Sequence, residues 1–244
     1  MSAPICFVLV EPTHPGNVGA AARAIATMGF TDLRIVATPI ANVREDPEAR
    51  ARASAARDVV ANAQLHDTLE SAVADATLVI GLSARVREFA PAAVSIESAC
   101  AEAAREAATG QRVAFVFGTE RIGLNISQAQ RCLRLAQIDA EADRSSLNVA
   151  QAVQIAAYEM RGALGSAGSS LLDPEVPDYA TQDEIEQLYA HLRDACVAVG
   201  FIDPEHPKKL FERMRRLFSR TRLEREEVQL LRGLCKQMIL AGKP

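Results

Sequence analysis

The sequence predicts an α/β protein whose strands form one parallel sheet, followed by a small all-helical C-terminal domain. Two observations predict it. From residue 5 to about 165, short apolar runs alternate with helical patterns, as strand–helix–strand units do. Beyond a Gly- and Ser-rich stretch the strand signal stops, and the rest of the 244 residues carry only helical periodicity.

Ile5 to Glu11 is short and mostly apolar, consistent with a buried strand. Pro12-Thr13-His14-Pro15-Gly16 is loop chemistry. Asn17 is a good N-cap, and Val18, Ala21, Ala22, Ile25 and Met28 follow at helical spacing until Gly29 stops the helix. Leu33 to Val36 is the next strand, so the unit implies a parallel pair with a right-handed crossover. The alternation continues with an Ala-rich helix over Arg44–Ala63, a strand over Thr77–Leu82, a helix over Ser95–Ala108 and a strongly apolar strand over Val113–Phe117. Ser127 can cap a short helix, Leu135–Ile138 is a short strand, and Leu147–Leu164 is a long helix with Val149, Val153, Ala156, Met160 and Leu164 on one face. Residues 166–179, which hold Ser-Ala-Gly-Ser-Ser and two prolines, read as a linker between domains at 1–165 and 180–244. Helices are expected over Asp183–Val199, Pro207–Ser219 and Glu224–Ala241.

Bulk chemistry narrows the function classes. The chain is 49% hydrophobic and 24% charged, ordinary for a soluble globular protein. No apolar run approaches the roughly 18 to 20 residues of a membrane span, and Met1-Ser2-Ala3-Pro4 lacks the basic flank of a signal peptide. Five scattered cysteines without a CxxC pair favour reduced thiols, hence a cytoplasmic location, over disulfides. Neither they nor the four histidines show metal-ligand spacing, so no metal is expected. The absence of Trp argues against base-stacking platforms. Net charge is −4, but residues 203–244 hold eleven Lys and Arg against six Asp and Glu, a balance of +5 on a body of −9. Such a tail is an electrostatic footprint for an anionic partner, or a solvated Arg-rich helix face.

Three stretches sit where strand-like runs give way to loops, which is where α/β folds present backbone to ligands. Gly16-Asn17-Val18-Gly19 with Arg23 is not GxGxxG, and the second strand ends Val36-Ala37-Thr38 without an acid for a ribose, so neither half of the dinucleotide fingerprint is present. Gly16-Asn17 is either a capped helix start or a phosphate site. Arg23 lies off the apolar stripe and should face outward. Phe117-Gly118-Thr119-Glu120-Arg121-Ile122-Gly123-Leu124 ends the most apolar strand, as a plain turn or as close backbone approach to a ligand. Ser145-Ser146-Leu147-Asn148 opens the last helix of the body; either serine suffices as N-cap, leaving the amide of Asn148 for a substrate.

In their order and spacing these three stretches resemble the motifs of the SPOUT methyltransferases, within them the TrmH-like branch that methylates the ribose 2′-hydroxyl, and most closely the TrmJ type, which acts at position 32 of the tRNA anticodon loop. The likeness runs from Ile5 to about Leu164 and takes in Glu11-x-x-His14-x-Gly16-Asn17-x-Gly19-x-x-x-Arg23, Phe117-Gly118-x-Glu120-x-x-Gly123-Leu124 and Ser145-Ser146-Leu147-Asn148-x-Ala150. The tail ending Leu231-Arg232-Gly233 is similar to that type's C-terminal domain, and residues 139–144 depart from the pattern by their acidity. The resemblance implies a parallel sheet whose C-terminal part is tied in a trefoil knot, a homodimer with the active site at the subunit boundary, and S-adenosylmethionine held by Leu82, Ser83, Ala84, Gly118, Ile138, Ser145, Ser146 and Leu147. It implies tRNA as substrate and Arg23, Asn17, Glu120 and Asn148 as the catalytic residues, with Arg23 beside the 2′-hydroxyl and a phosphate. A guanidinium stays protonated at neutral pH, so a substrate phosphate reached through Arg23 is the expected proton sink. Two other functions share this pattern: 2′-O-methylation of ribosomal RNA, and RNA binding without catalysis on a knotted fold.

Overall fold

In the computed structural model the described residues are 4–83, 91, 93–141, 146–167, 177–206 and 209–242. Among them, β1 (Ile5–Val10), β2 (Asp32–Val36), β3 (Gln64–His66), β4 (Leu78–Leu82), β5 (Ala93–Ser95), β6 (Val113–Phe117) and β7 (Arg134–Gln137) form one sheet in the order β3-β2-β1-β6-β4-β7-β5. Every pairing is parallel. The helices are α1 (Pro15–Thr27), α2 (Pro47–Ala53), α3 (Arg57–Ala61), α4 (Leu69–Val73), α5 (Ile96–Ala108), α6 (Ile126–Arg131) and α7 (Val149–Ala167), then α8 (Gln182–Ala198), α9 (Leu210–Thr221) and α10 (Arg225–Ala241) in the tail.

Strand side chains alternate between two cores, as the pleat requires. Ile5, Phe7 and Leu9 join α1, α5 and α7 in one, while Cys6, Val8 and Val10 join α4 and α6 in the other. Both faces of the central strands are therefore covered, which explains why β1, β4 and β6 are apolar throughout rather than alternating. Burial pushes the thiols of Cys6, Cys100 and Cys132 up to about 12. They are packing groups rather than nucleophiles.

Three expectations change in detail. The Arg44–Ala63 helix is broken. Asp46 caps α2 ahead of Pro47, and Ser54 at φ 55° turns the chain through a short 3-10 segment into α3. Nothing in the Ala-rich composition marks that position. The edge strands β3 and β5 are three residues each, too short to show a period. The long helix α7 reaches Ala167, two residues into the expected linker, whose residues 168–176 lie outside the described ones. Of the expected knot loops, Ala84 and Ser145 also lie outside them.

The tail has its own small core of Ile185, Leu188, Tyr189, Leu223, Val228 and Cys235. Polar contacts seat it on the body. The amides of Gln182 and Asp183 donate to the carbonyls of Ala76 and Ala74 at 2.8 and 3.1 Å. Arg222 reaches between them, paired with buried Glu106, with Glu102 at 3.0 Å and with the Thr77 carbonyl at 3.1 Å. Its guanidinium also lies 4.0 Å from the Tyr179 ring centre.

Candidate active site

The first motif begins at the C-terminal end of β1. The N-cap of α1 is His14 rather than Asn17: its Nδ1 accepts the Gly16 amide at 3.1 Å, and Pro15 occupies the first helical position, which suits proline. Asn17 is thereby moved to the third helical position, and its side chain is released for other partners. Gly19 is structural: a Cβ there would lie 2.0 Å from the Ala49 carbonyl oxygen, so only glycine lets α2 pack this closely on α1. Arg23 is exposed on the outer side of α1, as its position off the apolar stripe predicts.

The second motif is a turn closed on itself. Thr119 and Gly123 bridge, and the Gly123 amide donates to the Thr119 carbonyl at 2.9 Å. A Cβ on Gly118 would meet Gly123 and Leu124 backbone at 2.1 and 2.2 Å, so the tightness of this turn requires glycine. The turn presents Glu120 towards α1. The third motif leads into α7, whose N-cap is Asn148 rather than a serine. Its Oδ1 accepts the Ala150 amide at 2.9 Å, and Gln151 reaches back to the Asn148 amide at 3.3 Å, the reciprocal capping pattern. In α6 likewise the cap is Asn125, not Ser127.

The three motifs meet. Asn17 Nδ2 donates to Glu120 Oε1 at 3.1 Å, and Asn148 Nδ2 donates to Asn17 Oδ1 at 3.0 Å. Thr13, which the sequence does not single out, holds the same carboxylate with its hydroxyl at 3.1 Å and its amide at 3.3 Å. Its only sequence signal is a hydroxyl next to the first motif. Glu11 stands out in the sequence only as part of that motif. Its Oε1 accepts the buried Gln128 side chain at 3.3 Å, tying α6 to the end of β1. Burial pushes the Glu120 carboxyl up, but the hydrogen bonds from Asn17 and Thr13 outweigh it and the net shift is downward. The bonds that hold the motifs together are thus fully present above the ordinary carboxylate range, about pH 4.3, and are lost only as pH falls through the lowered value. Arg23 does not join this cluster within one chain.

Beside the cluster lies an open cleft of about 970 Å³, counting space shared with solvent, at the C-terminal ends of β4, β6 and β7. Leu82, Ser83, Gly118, Ile138, Ser146 and Leu147 all line it, together with Phe117, Val149 and Glu120. Six of the eight expected cofactor residues therefore share one wall system. The other two, Ala84 and Ser145, lie outside the described residues. Among the described residues no group of three or more His, Cys, Asp and Glu could hold a metal ion, and no helix is long and apolar enough to cross a membrane.

Comparison with known proteins agrees with this geometry. Residues 4–158 match the family model described as SpoU rRNA Methylase family, and residues 183–243 match the model described as tRNA methyltransferase TrmJ, C-terminal domain. A tRNA (cytidine/uridine-2'-O-)-methyltransferase TrmJ of Klebsiella pneumoniae is 42% identical over 235 residues, 94% of each chain. Among solved structures, TrmJ from Z. mobilis superposes with a TM-score of 0.80 at 28% identity, covering 96% of this chain and 98% of that one. A probable methyltransferase from Bordetella pertussis is 47% identical with a TM-score of 0.63, covering 66% of this chain and 96% of that one.

Proposed function

The chain belongs to the SpoU methylase family and, through its helical tail, to the TrmJ type; from that premise we propose that it transfers a methyl group from S-adenosylmethionine to the ribose 2′-oxygen at position 32 of the tRNA anticodon loop, accepting cytidine or uridine. The observation that carries this reading is the convergence of Asn17, Glu120 and Asn148, from three distant motifs, at the rim of one cleft.

The residues present suit the cofactor. Leu82, Phe117, Ile138 and Leu147 offer apolar walls to a flat heterocycle, and the Gly118 turn and residues 146–147 bring main chain to the same space. Leu82, Ser83, Gly118, Ile138, Ser146 and Leu147 would hold it, joined by Ala84 and Ser145 from the loops that the resemblance assigns to the cofactor. When bound, it supplies a methyl group already activated by a cationic sulfur, so displacement by an aligned oxygen needs no further electrophilic help. The protein's own task is to place that oxygen and dispose of its proton. Glu120 is a weak base because its hydrogen bonds favour the ionised form; its work is to hold Asn17, and through it Asn148, in register. Arg23 grips a substrate phosphate, and that phosphate is the proton sink, because a guanidinium stays charged. Within one chain Arg23 stands apart from the cluster, which is what an active site completed by a second copy requires. A homodimer and the knotted cofactor loops are therefore part of this proposal. So is a division into a catalytic unit at 1–165, a linker at 166–179 and an RNA-binding unit at 180–244. We place the reaction in the cytoplasm, in keeping with five buried, unpaired cysteines.

The tail's match to the C-terminal domain of a tRNA methyltransferase supports tRNA over ribosomal RNA, and its surface suits an RNA backbone. Lys209, at the N-cap of α9, and Arg213, Arg216 and Arg220 on the helix fall at spacings of four, three and four, one exposed stripe roughly 16 Å long. Arg213, Arg216 and Arg220 take no part in an ion pair among the described residues. Free guanidinium groups in a row suit a phosphate backbone. Tolerance of cytidine and uridine follows from the reaction being on the sugar, since nothing in the three motifs is aimed at the 4-position where the two bases differ as donor and acceptor.

The test is nucleoside mass spectrometry after incubating unmodified transcripts with protein and S-adenosylmethionine, with each of the four nucleotides at position 32. We expect 2′-O-methylcytidine and 2′-O-methyluridine from the two pyrimidine transcripts, mapped to that position. Methylation of a base atom, of another position or of ribosomal RNA alone would overturn the substrate assignment. No methyl transfer, with RNA binding intact, would favour a non-catalytic binder.

A further inference from the structure

His14 carries a role that the chemistry above does not use. Its ring closes the first turn of α1: Nδ1 accepts the Gly16 amide at 3.1 Å, while its carbonyl accepts the Asn17 amide at 3.0 Å. That turn is what aims Asn17 at Glu120 and Asn148. An imidazole nitrogen can accept a hydrogen bond only while it is unprotonated. Glu48 of α2 waits on the other side, with Oε1 3.9 Å from the same Nδ1. The ring is 60% exposed, so no packed neighbour encloses it.

We propose that His14 is a proton-sensitive positioning residue: unprotonated, it caps α1 and holds Asn17 in place; protonated, it turns to Glu48 and releases the cap. Both halves have a physical cause. A protonated Nδ1 becomes a donor facing the Gly16 N–H, also a donor, and brings positive charge to the positive end of the helix. The carboxylate of Glu48 offers the cation a partner. The other charged groups around this turn are Glu120, bound through the neighbouring Thr13, Glu11 at the end of β1, held by Gln128, and Arg52 of α2, packed against Gly19 one turn further on. Among them it is Glu48 whose carboxylate lies within 4 Å of the ring.

His14 affects catalysis only if Asn17 belongs to the active site, the reading given above, so the test needs one readout that does not depend on turnover. The first measurement is the single-turnover methyl-transfer rate of the wild type, His14→Asn and His14→Ala across about pH 5.5 to 8, a range that spans ordinary imidazole protonation. The wild type should lose about tenfold on the acid side. Asparagine is a strong cap that does not titrate, so His14→Asn should match the wild type near pH 8 and lose the acid limb. His14→Ala should show no acid limb and stay at about a tenth of the wild-type pH 8 rate throughout, with cofactor affinity unchanged because His14 does not line the cleft. The second measurement is the Gly16 amide resonance by NMR. Lowering the pH should move it in the wild type and leave it still in His14→Asn. An acid limb retained in His14→Asn, wild-type rates near pH 8 in His14→Ala, or a Gly16 amide indifferent to pH would each overturn the proposal. A Gly16 amide that follows the ring in a protein that methylates no RNA would support the cap and refute the methyltransferase reading.

Discussion

Replacing Arg23 with alanine should abolish methyl transfer while leaving cofactor binding nearly intact. The guanidinium is exposed on α1 and does not line the cleft, so the cofactor keeps all its partners. On the proposed mechanism the reaction loses the group assigned to hold the phosphate and route the proton, a deficit of roughly 100- to 10,000-fold. Calorimetric titration with S-adenosylmethionine and turnover on tRNA separate the two effects. Wild-type turnover in Arg23→Ala would remove Arg23 from the mechanism. Other assignments at this scale are legible in part. Asn17, Glu120 and Asn148 stand out as polar groups where strands end. That they bond to one another cannot be read from positions 17, 120 and 148 of a linear chain. Thr13 is invisible for the same reason: its worth lies in the carboxylate it meets, 107 positions away. The caps differ from expectation for a local reason. Asn17, Ser127 and Ser145 or Ser146 are all good cap residues, but Pro15 at the first helical position and the reciprocal partners Gln128 and Gln151 select His14, Asn125 and Asn148 instead.

Among the elements, α9 is the one whose surface chemistry is easiest to test. Changing Arg213, Arg216 and Arg220 together to glutamine should weaken tRNA binding without altering the thermal midpoint by much, since the three side chains are exposed and unpaired among the described residues. The slope of log affinity against log salt should become shallower by about 0.7 to 0.9 for each phosphate that is no longer neutralised. Filter binding at several salt concentrations measures it, and an unchanged slope would mean that α9 only packs. The stripe is readable as charge in the sequence, +5 over the last 42 residues. Its concentration on one side of α9 needs the helix boundaries and the ion pairs. Arg215, in the same run, is spent on Glu186 and lies over Tyr189.

At the scale of the whole molecule, the tail and the body meet through Arg222. It sits at φ 55°, a left-handed conformation that costs a non-glycine residue about 1 to 2 kcal/mol, and its side chain enters a buried site against Glu106, itself 2% exposed. Arg222→Ala should therefore destabilise the protein by about 3 to 5 kcal/mol, because it strands the Glu106 carboxylate in the interior. Combining Arg222→Met with Glu106→Gln should recover much of that loss. Urea denaturation of the three proteins measures both effects, and a loss below about 1 kcal/mol in Arg222→Ala would show that the tail is not docked through this pair.

The sequence by itself determined the α/β class, the parallel sheet, the helical tail and the three loops that matter, because apolar periodicity, Gly and Pro punctuation and motif order are properties of neighbours along the chain. Only the tertiary structure decided the strand order, the three-residue edge strands, the break at Ser54, the caps that free Asn17, and the meeting of Asn17, Glu120 and Asn148 beside one cleft. The strand order and the meeting of the three side chains are fixed by contacts between residues dozens to more than a hundred positions apart, which leave no period in the sequence, while the caps and the break at Ser54 turn on local choices among several suitable residues.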